Sequence, residues 1–228
     1  MAIQLASEAG DVQQRAHSAT TLARHLTYLG RVSDALDVIG LVHSDWREIP
    51  TLGRAAVRIV EARAYARSHD GSACIRAVGL CDEDFSASGL DGAEDPVWGY
   101  YADTGQILGD AGHALFDIVM TNSYRKQADP TISRLQSAYS YHPVEAARSR
   151  ALTMVRIACL QLRNGDVTSG LTSMQAGLAD ARGVYSSRLR DDLRVLGSIL
   201  ANTQPEPSLA DELAAARAHV AELVRSQV

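Results

Sequence analysis

Arg24 and Arg63 stand at matching places in a repeated spacing, and Asp103 stands at a third. A guanidinium presents a planar fork of N–H donors that closes on a carboxylate or a peptide backbone through paired hydrogen bonds. Arginines at repeated positions are therefore suited to clamping an anionic or extended ligand. A helical turn later come Tyr28, Arg67 and Gln106, and a turn earlier come His17 and Thr20. Together these residues form the candidate binding set. The competing reading is that arginines on helices serve solvation and local ion pairs.

Other residue groups that could do chemistry fail on spacing. Asp82, Asp84 and Ser86 have the spacing of a calcium loop, but Ala87 stands where the tight turn needs glycine and no closing Glu follows. His17 and His25 could share a helix face, yet no carboxylate completes a zinc site there and no H-E-x-x-H run exists. Cys74, Cys81 and Cys159 include no C-x-x-C pair and read as small apolar core residues. Gly109-Asp110-Ala111-Gly112-His113 is the nearest thing to a glycine-rich loop, but it falls inside a helical pattern and reads as close packing. Trp98, with Tyr100 and Tyr101 near it, reads as core rather than as a stacking platform. No nucleophile elbow, phosphate loop or dinucleotide fingerprint is present. The expectation is a protein that is not an enzyme and needs no cofactor and no metal.

The elements that must position the arginines are written in the spacing itself. Ala23 precedes Gly30 by seven residues, as Ala62 precedes His69 and Ala158 precedes Gly165; five residues on stand Ala35, Cys74 and Gly170. Small residues on both members of an antiparallel helix pair let the backbones approach, and the residue between them ends the first helix. Apolar residues make up 46% and aromatics 5%, so the core must be built from Ala, Leu, Val and Ile in helices. A net charge of −5 argues against gripping a nucleic-acid backbone directly. No apolar run approaches the roughly 18 residues of a membrane span, and no leader is visible, so a cytoplasmic chain without a membrane role is expected.

Read in order, the tail of a helix ends at Gly10, and helices are expected over 11–29, 31–43, 51–68 and 72–82. Residues 82–95 are acidic and glycine-bearing and read as a surface loop. Asp95-Pro96 is a helix start, and one long helix to about Ile118 is preferred over a turn at Gly109-Asp110, with 126–140 as its partner. Helices follow over 145–163, 167–181 and 187–201, then a Pro-containing linker and a last helix to about Arg225. The expected architecture is all-α, about ten helices in one elongated array, with a repeat domain over 1–204 and a linker and capping helix over 205–228. An uncovered apolar edge at Ile3, Leu5 and Ala6, or the C-terminal helix, offers a route to a homodimer.

The register resembles tetratricopeptide repeats: Ala23-x-x-Leu26 and Ala62-x-x-Tyr65 stand for the small-x-x-aromatic step, and Ala35-x-x-x-Ile39 and Cys74-x-x-x-Val78 for the second-helix pair. Further pieces resemble the C-terminal repeat region of actinobacterial helix-turn-helix regulators of sporulation and antibiotic production. They include Leu5-Ala6-Ser7-Glu8-Ala9-Gly10-Asp11, Pro96-Val97-Trp98, Arg148-Ser149-Arg150-Ala151-Leu152 and Asn164-Gly165-Asp166-Val167. The resemblance implies a right-handed solenoid whose first helices line a concave groove, and a regulatory module in transcriptional or developmental control. Its expected partner is a protein or peptide, or a small-molecule signal. Members of that family carry a DNA-binding domain ahead of the repeats; no such segment is read here, and direct nucleic-acid binding is not expected of these residues. The alternative is an adaptor that joins two proteins without sensing a signal.

Overall fold

The computed structural model describes residues 1–89, 97–98, 102–204 and 206–226. Among these the secondary structure is helical, without a strand. The α-helices are α1 Ala2–Glu8, α2 Val12–Tyr28, α3 Val32–His43, α4 Thr51–Arg67, α5 Gly71–Ser88, α6 Thr104–Val119, α7 Ala128–Tyr141, α8 Ala147–Arg163, α9 Val167–Asp180, α10 Ser187–Asn202 and α11 Ala210–Ser226. No helix among the described residues is long and apolar enough to cross a membrane. The chain divides into two compact units, Met1–Tyr124 and Arg125–Val228.

One turn design recurs in both units. After α2, Gly30 adopts φ +77° and its N–H bonds Thr27 O at 3.2 Å, while Arg31 N–H bonds Leu26 O at 2.9 Å. These paired bonds satisfy carbonyls that the helix end would otherwise strand. The same pair of bonds closes α4 at His69, whose φ is +63°, and α8 at Gly165, whose φ is +89°. The next residue then starts the following helix: Asp70 accepts from Ala73 N–H at 2.9 Å and Asp166 from Ser169 N–H at 3.1 Å. A carboxylate there satisfies an orphan donor and favours the positive end of the helix dipole. The spaced residues that mark the register are thus the residues that reverse the chain.

In the first unit α2 packs on α3 and α4 on α5, and α4 also packs on α2 and α6. The core is rich in alanine, with Ala23, Ala35 and Ala62 fully buried. In the second unit α8 pairs with α9 and α10 with α11, while α8 also packs on α7 and α10. The approach of α8 and α9 is close enough that a Cβ added at Gly177 would lie 3.1 Å from Val155 N and from Met154 Cβ. A guanidinium closes one helix end: Arg217 donates to Leu200 O and Thr203 O, both at 2.9 Å, capping α10 from α11.

Three expectations are corrected. Residues 82–88 are not a loop, because α5 continues to Ser88. Phe85, four residues after buried Cys81, packs on the core and carries the apolar stripe past the acids. The remainder of the expected loop, 90–95, and the expected helix start at Pro96 lie outside the described residues. The long helix begins at Thr104, where the Asp103 carboxylate accepts from Gln106 N–H at 2.7 Å, and it runs through Gly109 without a break. Its partners are α4 and α5, whereas the 126–140 helix, α7, packs on α8.

Candidate functional site

Three of the candidate residues, Arg24, Arg63 and Gln106, converge on a carboxylate in the glycine-bearing stretch of α6. Asp110, on α6, is 4% exposed at its side chain. Arg24 Nη1 donates to its Oδ2 at 2.6 Å, Gln106 Nε2 to the same oxygen at 2.8 Å, and Arg63 Nη1 lies 3.4 Å from Oδ1. A carboxylate withdrawn from water needs such donors, since desolvation of the charge would otherwise outweigh the packing gained. Arg24 comes from α2, Arg63 from α4 and Gln106 from α6 itself, one turn before Asp110. Three helices are therefore tied at one point, with Arg24 reaching from α2 to α6 while α4 packs on both.

The remaining candidates are placed as follows. Arg67 Nε lies 3.6 Å from Asp117 Oδ2, a second α4–α6 contact two turns along, and nearly half of the Arg67 side chain is exposed. Tyr28 is half exposed near the end of α2. Asp103 is an exposed helix cap. Thr20 is buried and its hydroxyl donates to Ala16 O at 2.7 Å, so it presents no hydrogen-bonding group to a groove. His17 meets the edge of buried Trp98 at 5.3 Å between ring centroids, and burial holds its pKa below the ordinary imidazole value. The structure therefore joins Arg24, Arg63 and Gln106, and sets the others apart from that point.

A second polar cluster in the same unit was not foreseen. Glu61, buried on α4, accepts from Arg58 Nη1 at 2.9 Å and from Tyr65 OH at 3.4 Å, with His43 Nε2 3.4 Å away. The His43 ring stacks on Trp46 at 4.6 Å, and the Arg58 guanidinium lies 4.4 Å from the centre of the same indole. Burial pushes the Glu61 carboxyl upward, but the hydrogen bonds from His43 and Arg58 and the Arg58 charge together hold it below the usual range. The signal was available in the spacing Arg58-x-x-Glu61-x-x-x-Tyr65, which stacks three polar side chains along one helix.

The second unit holds a sealed counterpart. Arg156 on α8 donates through Nε and Nη2 to Asp192 on α10 at 2.7 and 3.0 Å, and its side chain is 2% exposed. Arg156 interrupts the apolar run 154–160 of α8, which is the sequence signal for a buried carboxylate partner.

These clusters are held together by ion pairs and hydrogen bonds. The thiols are buried; desolvation, reinforced by the Asp117 charge, pushes Cys74 up to about 12, and burial raises Cys159 likewise, so neither supplies a thiolate nucleophile. Among the described residues no three His, Cys, Asp or Glu side chains gather as a metal site requires. The arrangement offers instead pinned, partly exposed guanidiniums on adjoining helices. No protein-family model matches the chain, and neither a curated protein nor a solved structure matches it.

Proposed function

We propose that the chain is a helical-repeat binding module of tetratricopeptide type that recognises a protein or peptide segment. The recognising face is the one that α2, α4 and α6 contribute, and the module serves regulatory control without chemistry of its own. The observation that carries this reading is the convergence of Arg24, Arg63 and Gln106 on Asp110. Arg24 spends one N–H on Asp110 and keeps 29% of its side chain in solvent, leaving donors for a carboxylate or a peptide carbonyl. Because Asp110 already fixes the guanidinium, binding sacrifices less side-chain entropy than it would with a loose arginine. The repeated turn register and the packing of paired helices support the repeat reading, and the resemblance of segments such as 5–11 and 148–152 to the actinobacterial regulators supports the regulatory role.

A peptide array probed with the purified chain tests the site. Retained peptides should lose roughly tenfold or more in affinity to Arg24→Ala, with far-ultraviolet circular dichroism unchanged. Equal retention by both proteins would retire Arg24 as a binding residue.

A further inference from the structure

A different surface, in the second unit, carries an inference independent of the Arg24 site. Two segments are stitched together there: residues 139–150, from the end of α7 into α8, and residues 180–190, from the end of α9 into α10. Tyr139 OH donates to Asp180 Oδ2 at 3.0 Å, the Arg150 guanidinium lies 3.5 Å from the same oxygen, and Arg148 Nε donates to Ser186 Oγ at 3.1 Å. Arg150 also packs on the Tyr139 ring at 3.9 Å and donates to His142 O at 3.3 Å, which fixes the turn that leads into α8.

On this stitched base the large exposed side chains are mostly apolar or basic, with Glu145 the exposed acid among them. Tyr141, Val144 and Tyr185 are 63%, 76% and 86% exposed, the last being among the most exposed large apolar side chains described. The two segments hold five arginines against Glu145 and Asp180, in a chain whose net charge is −5. Asp180 is engaged by Tyr139 and Arg150, whereas Arg148 and Arg182 are exposed within the same two segments as Tyr141 and Tyr185. Tyrosine and arginine presented together on a rigid base are the composition of an interface: each gives contact area or forked hydrogen bonds at low entropic cost.

We infer that this end of the second unit is a docking surface for an acidic peptide segment bearing apolar side chains. Its carboxylates would pair with Arg148 and Arg182, and its apolar groups would cover Tyr141, Val144 and Tyr185. Charge complementarity selects an acidic occupant. A nucleic acid is disfavoured because a phosphate backbone meets a net negative chain and gains affinity only by neutralising many phosphates. A membrane surface is disfavoured because stable electrostatic attachment takes a longer polybasic cluster.

The test uses the full chain and fluorescein-labelled peptides in which glutamate alternates with leucine and phenylalanine. The same peptides with lysine for glutamate, a duplex oligonucleotide and phosphatidylserine vesicles serve as competing probes. The acidic peptides should bind best, weakening as salt rises, and Arg182→Glu or the pair Tyr141→Ala with Tyr185→Ala should each lower affinity about tenfold. Arg182 makes no bond that holds the fold in place, and circular dichroism checks each variant; Arg148→Gln supplies an independent variant at the other arginine. Arg24→Ala should leave this binding unchanged, which separates this surface from the first-unit site. The inference is overturned if lysine peptides bind as well, if the second-unit variants bind like wild type, if Arg24→Ala removes the binding, or if the oligonucleotide or vesicles bind more tightly than the peptides.

Discussion

Arg156 and Asp192 in the second unit meet through two hydrogen bonds and are almost sealed from water, whereas Arg24 in the first unit holds Asp110 through one bond and keeps 29% of its side chain in solvent. Both contacts join helices across the packing, α8 to α10 and α2 to α6, with Arg63 of the intervening α4 added in the second. A sealed, forked pair fixes how two helices sit and can accept no visitor. An open one still fixes the helices but retains hydrogen-bonding capacity at the surface. The same residue types thus serve register in one unit and, on the reading above, recognition in the other.

The strongest way to break this contrast is to remove Asp192. Asp192→Ala takes the carboxylate from a guanidinium that is 2% exposed, and loss of one member of a buried pair costs about 3–5 kcal/mol. Urea denaturation followed by circular dichroism should show that loss. Replacing both partners, Arg156→Met with Asp192→Leu, should recover most of it, because apolar groups of similar size need no hydrogen bonds in a dry site. If the double variant is as unstable as the single one, the pair is doing more than balancing its own charge.

Removing the carboxylate of the open site should be milder. Asp110→Asn keeps an acceptor and leaves Arg24 where water can solvate it, so a loss of about 1 kcal/mol is expected. Both tryptophans, Trp46 and Trp98, lie in the first unit, so their emission follows that unit while circular dichroism reports the whole chain. A loss for Asp110→Asn as large as that for Asp192→Ala would place both pairs in the structural class and weaken the recognition reading.

Local chemistry decided what could be foreseen. Gly165 and even His69 announce turns because a helix end followed by a capping carboxylate is a short-range pattern, while Gly30 announces one by its left-handed freedom alone, and all three reverse the chain. The acids at 82–84 misled because their polarity was weighed above Phe85, whose contact with the core depends on α5 lying against its neighbours. The arginines of the candidate site were found by their register, but Asp110 was hidden. Arg24 and its carboxylate are 86 residues apart, and nothing near Asp110 distinguishes a partner of arginine from one more polar residue in a glycine-bearing helix. Thr20 shows the converse: its position in the register is right, yet a bond to its own helix backbone turns its hydroxyl inward.

The finest comparison is by pH, and it concerns Glu61. Its folded carboxyl is held below the usual range, so the unfolded chain binds a proton there more readily than the folded one. The stabilisation is therefore fully present above the ordinary glutamate range and is lost as pH falls through the lower, folded value. Glu61→Gln removes the charge at every pH. At neutral pH it should destabilise the first unit by about 1 kcal/mol through weaker bonds to Arg58 and His43, and the gap from wild type should close as the pH falls through the lowered folded value. Thermal melts read by tryptophan emission measure the gap where it arises, since Trp46 lies directly against His43 and Arg58. A gap that stays constant from neutral to acid pH would mean that Glu61 contributes packing rather than charge. The first unit would then lose one of the polar features that distinguish it from its sealed counterpart.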